Sequence, residues 1–252
     1  MSVIKSLDKA LILLQYIVAD NGRNTLQTIA LQHGIPLPTA FRMAQTLLTK
    51  GFLAQGRKGR FVPGPTLAKL AQWTDRNRIV GGLLRGYLER LAKHYSCLAH
   101  FGVYENEMVH YVVREGGETH QPFTAEGTQL EGYCSAIGKI LLAALPDTER
   151  ESYLAGGPFI RLTDQTIIDP NVLRQTLAEV ARQGFALDNC EIHEDLFCLA
   201  VPVYNDQQQV IGAISLAMNG FIPDERQRAK RIESLRSVAK VATKHCKCHL
   251  DF

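Results

Sequence analysis

The sequence predicts an α+β protein in two parts: a small helical head carrying a basic hairpin, and a larger body of helices flanking antiparallel strands. Three observations predict it. Residues 25–64 hold two short helical patterns, a tight turn between them and a glycine-flanked basic loop. Residues 1–65 contain eight Lys or Arg against Asp8 and Asp20, a net of +6, while the remainder holds 20 basic and 23 acidic residues, a net of −3. Beyond residue 83, apolar helical stripes alternate with strand-like runs. The expected organisation is a winged helix-turn-helix over 1–65, a linker helix and hinge over 66–82, and a sensor-like body over 83–252.

In the head, Ser6 to Ala19 reads as a first helix with Leu7, Ala10, Leu11, Leu14 and Ile17 on one face and Ser6 as its cap. Thr25 can cap a second helix, because its hydroxyl can accept from a first-turn amide. Gly34 stops that helix, since glycine takes the left-handed conformation without strain. Pro38 suits the start of a third helix, where a missing N–H is not needed. There Ala40, Ala44, Leu47 and Leu48 form the apolar stripe, and Thr39, Arg42, Gln45, Thr46 and Thr49 the polar one. Gly51 ends it. Phe52–Gln55 and Arg60–Val62 then alternate like strands around Gly56-Arg57-Lys58-Gly59, a hairpin with cations at its tip.

Two short helices and a basic wing suit duplex DNA, with the second helix in the major groove. Arg42 can pair with guanine, Gln45 with adenine, and Thr39 and Thr46 with phosphate or a thymine methyl. Arg57, Lys58 and Arg60 suit phosphates, which add affinity and salt dependence rather than sequence preference. The competing reading is a small helical subdomain with a solvated hairpin.

Pro63 and Pro65 bound the head, and neither is expected to extend the wing strand or a helix interior. Thr66 to Ile79 reads as the linker helix, with Trp73 either at a dimer contact or packed on the body, and Gly81-Gly82 as a hinge. The body begins with a helix from Leu83 to Tyr95. Strand-like runs follow at Leu98–Tyr104 and Met108–Glu115, joined by Glu105-Asn106-Glu107. Helices are expected over Cys134–Leu145, Asp147–Tyr153 and from Pro170 to Gln183, the last capped by Asp169 and stopped by Gly184. Strands near Phe185–Asp188, Leu196–Tyr204 and Val210–Ala217 precede a closing helix from Pro223 to His245.

No apolar run approaches the ~18 residues of a membrane helix, and the N-terminus does not read as a signal peptide. Six scattered cysteines, several in apolar runs, suggest free buried thiols in a reducing cytoplasm. Enzyme signatures are absent: Ser135 and Lys139 are four apart, not three, and no Gly-x-Ser-x-Gly or phosphate-binding glycine loop occurs. Cys190 with His193 is a weak nucleophile pair, and the C-terminal His245-Cys246-Lys247-Cys248-His249 run a weak metal candidate. No catalytic residue, metal or cofactor is expected. The alternative function is a small-molecule sensor or a thiol-dependent enzyme without specific DNA binding.

Over nearly its whole length the chain resembles the IclR-type transcriptional regulators. The head carries their Gly-apolar-Pro-x-x-Thr-x-x-Arg pattern from Gly34 to Arg42, followed by Lys50-Gly51-Phe52-Leu53. The body carries Ser135-Ala136-Ile137-Gly138-Lys139, Gly184-Phe185-Ala186-Leu187-Asp188 and Ala200-Val201-Pro202-Val203. The resemblance implies a GAF- or profilin-like sheet in an effector-binding body. It also implies a homodimer or dimer of dimers on a palindromic operator. Leu37, Pro38 and Phe41 stand where the family commonly has basic, hydroxyl or His/Tyr side chains, which bears on target sequence. After Asp188 the run Asn189-Cys190-Glu191 replaces paired acids.

The helix opening at Ser135 and Ala136 is a ready anion site, with small residues that let a carboxylate approach. By resemblance, the ligand-binding set falls on Ala136, Ile137, Asp188, Cys198 and Ser215, with Ala217 replacing a companion serine. Phe101, Phe123, Tyr133 and Phe197 are expected to enclose an apolar body, giving an organic acid, an aromatic catabolite among the cases. The expected protein is a cytoplasmic regulator whose operator affinity a small organic acid controls.

Overall fold

The computed structural model describes residues 3–73, 76–116 and 124–249, without the side chains of residues 73, 76 and 245–249. The chain divides into two compact units, residues 1–75 and 76–252.

The first unit holds α1 (Lys5–Asp20), α2 (Leu26–Gln32), α3 (Leu37–Thr49), β1 (Leu53–Gln55), β2 (Phe61–Pro63) and α4 (Pro65–Trp73). Thr25 caps α2, its hydroxyl accepting from Thr28 N at 3.3 Å. Gly34, at φ +64, turns the chain towards α3. Leu13, Ile17, Ile29, Ala40, Ala44 and Leu53 form the centre of this unit's core.

Three expectations need correction here. The N-cap of α1 is Ile4, with no side-chain cap bond, so Ser6 lies inside the helix. The buried face of α1 is set by Leu13 and Ile17, whereas Leu7 and Leu11 are half exposed; leucines on both faces gave the wrong phase. Pro63 is the last residue of β2, paired with Leu53, which a two-stranded ribbon with an open edge permits.

The second unit is one antiparallel sheet with helices on both faces. Its elements are α5 (Arg76–Tyr95), β3 (Leu98–Glu105), β4 (Met108–Glu115), β5 (Gln129–Leu130), α6 (Ala136–Ala143), α7 (Asp147–Ala155), α8 (Pro170–Gln183), β6 (Ala186–Asn189), β7 (Leu196–Tyr204), β8 (Val210–Asn219) and α9 (Glu225–His249). The strand order is β5-β4-β3-β8-β7-β6. Asp224 opens α9 in a capping box: its carboxylate accepts from Gln227 N at 2.8 Å and Gln227 Oε1 accepts from Asp224 N at 3.0 Å.

Alternation along the strands divides the core. Ala99, Phe101, Phe197, Leu199, Ile214 and Leu216 pack with α5 and α9. Leu98, Tyr111, Cys198, Ala200, Ala213 and Ala217 pack with α6. Both faces are covered, so β7 is buried from Leu196 to Val203 and reads as one apolar run.

The Gly81-Gly82 hinge is not found. α5 runs unbroken through both, because Val80, Leu84, Leu88 and Ala92 bury one continuous stripe. Gly81 is there for closeness: a Cβ on it would lie 2.9 Å from both Val112 and Val113. The two-residue strand β5, paired with Val109 and His110, has no counterpart in the sequence reading.

Candidate functional site

In the first unit, α3 presents Arg42, Gln45 and Thr46 exposed and Thr39 half buried, opposite the buried Ala40 and Ala44. The Thr46 hydroxyl donates to Arg42 O at 3.0 Å, leaving it only acceptor capacity outward. Leu37 and Phe41, which depart from the family pattern, are 43% and 56% exposed on the same helix.

The hairpin between β1 and β2 closes with Gly56 N on Arg60 O at 2.9 Å, and Lys58 and Gly59 take positive φ at its tip. Arg57, Lys58 and Arg60 are exposed. The Arg60 guanidinium donates to Gly22 O at 3.4 Å, which ties the wing base to the end of α1. Arg42, Arg57 and Lys58 form no ion pair with any described residue. The sequence-derived set thus gathers on one exposed helix face and one hairpin tip.

In the second unit, Ser135 caps α6 by accepting from Gly138 N at 3.0 Å, and Lys139 N bonds Ser135 O at 2.9 Å. The amides of Ala136 and Ile137 are the other donors of that first turn. Gly138 seats the helix directly on the preceding loop; a Cβ there would lie 2.2 Å from Gly132 O.

Asp188, Cys198 and Ala217 are successive cross-strand partners on β6, β7 and β8, and Ser215 lies one pleat along, opposite His100. All are buried. Asp188 Oδ1 accepts from Glu191 N at 2.7 Å and the Cys198 thiol lies against the carboxyl, while Oδ2 has no partner of good hydrogen-bond geometry among the described residues. Burial pushes the Asp188 carboxyl up to about 7, with the Glu191 amide and Lys139 opposing. Burial likewise holds the Cys198 thiol protonated and pushes Cys134 up to about 12.

Lys139 reaches across from α6 to the Glu191 carboxylate and to Leu187 O. Thr163 and Thr166 hold this corner, donating to Cys190 O and Glu191 O, each at 2.7 Å.

The expected aromatic enclosure is not formed as read. Phe101 and Phe197 alternate to the opposite face, in the core with α5 and α9. The Tyr133 hydroxyl donates to Ile160 O at 2.7 Å within a separate cluster. Phe123 lies outside the described residues. Cys190 and His193 do not form a nucleophile pair: burial raises the thiol, and His193 Nδ1 accepts from Asp195 N at 3.3 Å. The C-terminal cysteine and histidine side chains lie outside the described residues, as does the side chain of Trp73.

Three polar residues on the α6 face escaped the sequence reading: His100, Tyr111 and Arg114. His100 Nδ1 lies 3.4 Å from Ser215 Oγ, and its ring packs edge-on against Tyr111 at 5.3 Å. The Tyr111 hydroxyl faces Ser135. The available signal was parity with Ser215, which becomes visible only once the register is known.

Comparison with known proteins matches this architecture. A family profile described as "Bacterial transcriptional regulator IclR C-terminal" covers residues 76–243, and one described as "IclR helix-turn-helix domain" covers residues 6–57. The chain is 29% identical over 245 residues to the uncharacterized HTH-type transcriptional regulator RhmR of Escherichia coli K12, covering 95% of this chain and 94% of that one. It is 26% identical to the HTH-type transcriptional regulator XynR of the same strain, over 94% of each. Among solved structures, Thermotoga maritima IclR superposes with a TM-score of 0.63 at 23% identity, covering 97% of this chain and 99% of that one. An IclR homologue from Microbacterium hydrocarbonoxydans, complexed with 4-hydroxybenzoate, superposes with a TM-score of 0.65 at 23% identity, over 96% and 99%. These relatives are named as transcriptional regulators, not enzymes. With profiles matching both its head and its body, the chain belongs to the IclR family of bacterial transcriptional regulators.

Proposed function

We propose that this regulator binds a palindromic operator through α3 and the wing, and that a small organic acid in the second unit controls that binding. In the head, Arg42 and Gln45 read base edges, Thr39 and Thr46 support them, and Arg57, Lys58 and Arg60 hold phosphates. Phe41, exposed on the same helix, suits a thymine methyl. The active species is a cytoplasmic homodimer or dimer of dimers, since a palindrome mirrors a two-fold axis.

One observation carries the ligand reading: the capped N-terminus of α6 packs on the sheet face that holds buried Asp188, whose second oxygen has no hydrogen-bond partner among the described residues. The Ala136 and Ile137 amides receive the acid's carboxylate. Asp188 takes a ligand hydroxyl, Ser215 and Cys198 flank it, and Ala217 removes a polar contact on one side. The effector acts by preferring one geometry of the oligomer, because equal affinity for both would shift nothing. An aromatic acid is the second reading, favoured by the 4-hydroxybenzoate in the solved relative.

Asp188→Ala and Ser215→Ala test the assignment. Each variant folds, binds operator and loses the response to an acid that shifts the wild type. An unchanged response in both contradicts the site.

A further inference from the structure

Besides Asp188 Oδ2, the α6 face carries two buried polar atoms with no hydrogen-bond partner among the described residues, His100 Nε2 and Arg114 Nε. They belong to directly opposed residues of β3 and β4. Opposed residues share a face of the sheet.

A β-bulge brings them together. Phe101 pairs with Val113, but Gly102 pairs with Tyr111, so Val112 is an extra residue in β4. Strict alternation from Tyr111 would turn Val113 towards α6 and Arg114 towards α5. Instead Val112 and Val113 both pack on the α5 side, and Arg114 returns to the face of His100 and Tyr111. Bulges commonly re-aim a side chain beside a functional site.

Charge and hydrogen-bond balance also point to a ligand. The nearby acids Glu115 and Glu126 are engaged by Arg85, and Glu126 also accepts from the Arg114 backbone amide. No described carboxylate pairs with the Arg114 guanidinium. Burial, reinforced by Arg114, pushes His100 down to about 3, so its ring is neutral. In the tautomer whose Nδ1 accepts from the Ser215 hydroxyl, the ring hydrogen sits on Nε2, a donor with no acceptor among the described residues. A buried donor without an acceptor is costly, and one anion would satisfy both groups. Tyr111 connects this corner to α6, with its ring against His100 and its hydroxyl facing Ser135.

We propose that His100 and Arg114 form a second anion-receiving subsite and that the effector is a short dicarboxylic acid. One carboxylate lies at the α6 amides and the other at this pair. The proposal rests on the reading of α6 and Asp188 as the effector site.

Calorimetric titration of the full-length protein tests it. The probes are malonate, succinate, glutarate and adipate, each against the monocarboxylate of the same carbon number. At least one dicarboxylate binds tenfold or more tighter than its monocarboxylate, and Arg114→Gln and His100→Ala each erase that difference. Arg114→Met melts within a few degrees of wild type without ligand but loses the dicarboxylate-induced rise in Tm. Monocarboxylates binding as tightly as dicarboxylates overturn the second subsite and leave the first reading standing. A dicarboxylate preference that survives both Arg114→Gln and His100→Ala overturns the residue assignment. Binding of neither class overturns this proposal together with the acid-site reading.

Discussion

Lys139 and Glu191, 52 positions apart, pair inside the second unit with side chains only 2% and 5% exposed. The pair ties α6 to the loop after β6, and Lys139 also donates to Leu187 O at 2.9 Å. Glu191 in turn supplies the amide that holds Asp188. One buried contact therefore fixes both walls of the candidate ligand site.

Breaking that pair from one side leaves a buried charge uncompensated. Lys139→Met is expected to destabilise the second unit by roughly 3–5 kcal/mol. The double variant Lys139→Met with Glu191→Leu recovers much of that loss. Urea denaturation of the three proteins measures both effects.

Two buried groups on the α6 face, Asp188 and His100, predict opposed pH dependences. Asp188 is raised in the folded state to about 7, so the folded protein holds its proton over the window from about 4 to 7, where the unfolded chain releases it. Its contribution therefore favours folding at low pH and fades as pH rises through that window. His100 is lowered to about 3, so its contribution is present above about 6.5 and fades as pH falls towards 3. Urea denaturation between pH 4.5 and 7.5 should show Asp188→Asn gaining on wild type as pH rises. His100→Gln should gain on wild type as pH falls.

In the head, Thr25→Ala removes the cap of α2 and is expected to cost about 1 kcal/mol. Thermal melting of the full-length protein checks this. The operator affinity of the folded variant should stay near wild type, because Thr25 lies on no base-facing surface of α3.

The wing predicts a salt effect without a sequence effect. Arg57→Ala and Lys58→Ala should each lower affinity for operator and for unrelated DNA alike. Each should reduce the slope of log K against log salt by about 0.9. Arg60→Ala should also loosen the wing base through Gly22. Arg42→Ala, in contrast, should lose operator preference while keeping non-specific binding.

Much of this was legible in the sequence where local chemistry decides. Thr25, Gly34, Asp169-Pro170 and Gly184 act as caps and stops where their residue types say they should. The Gly81-Gly82 hinge failed because tertiary burial of the α5 stripe outweighed the weak helix propensity of glycine. Phase in α1 failed because leucines occur on both faces. In the site, Ser135, Asp188, Cys198 and Ser215 do share one face. The aromatic residues were misplaced because side-chain direction in a strand depends on parity, and both faces of this sheet are buried. Arg114 could not be found that way, since its direction depends on a bulge at Val112 that two adjacent valines do not disclose.

The central claim, that an acid in the second unit controls DNA binding by the first, is tested most directly by a gel shift. Purified protein is titrated onto its own upstream intergenic DNA at two salt concentrations, with and without mono- and dicarboxylic acids, aromatic and aliphatic. The account predicts a specific shift that one acid alters in the wild type and leaves unaltered in Asp188→Ala. A specific shift that no acid changes, or an acid response that persists in Asp188→Ala, would contradict it.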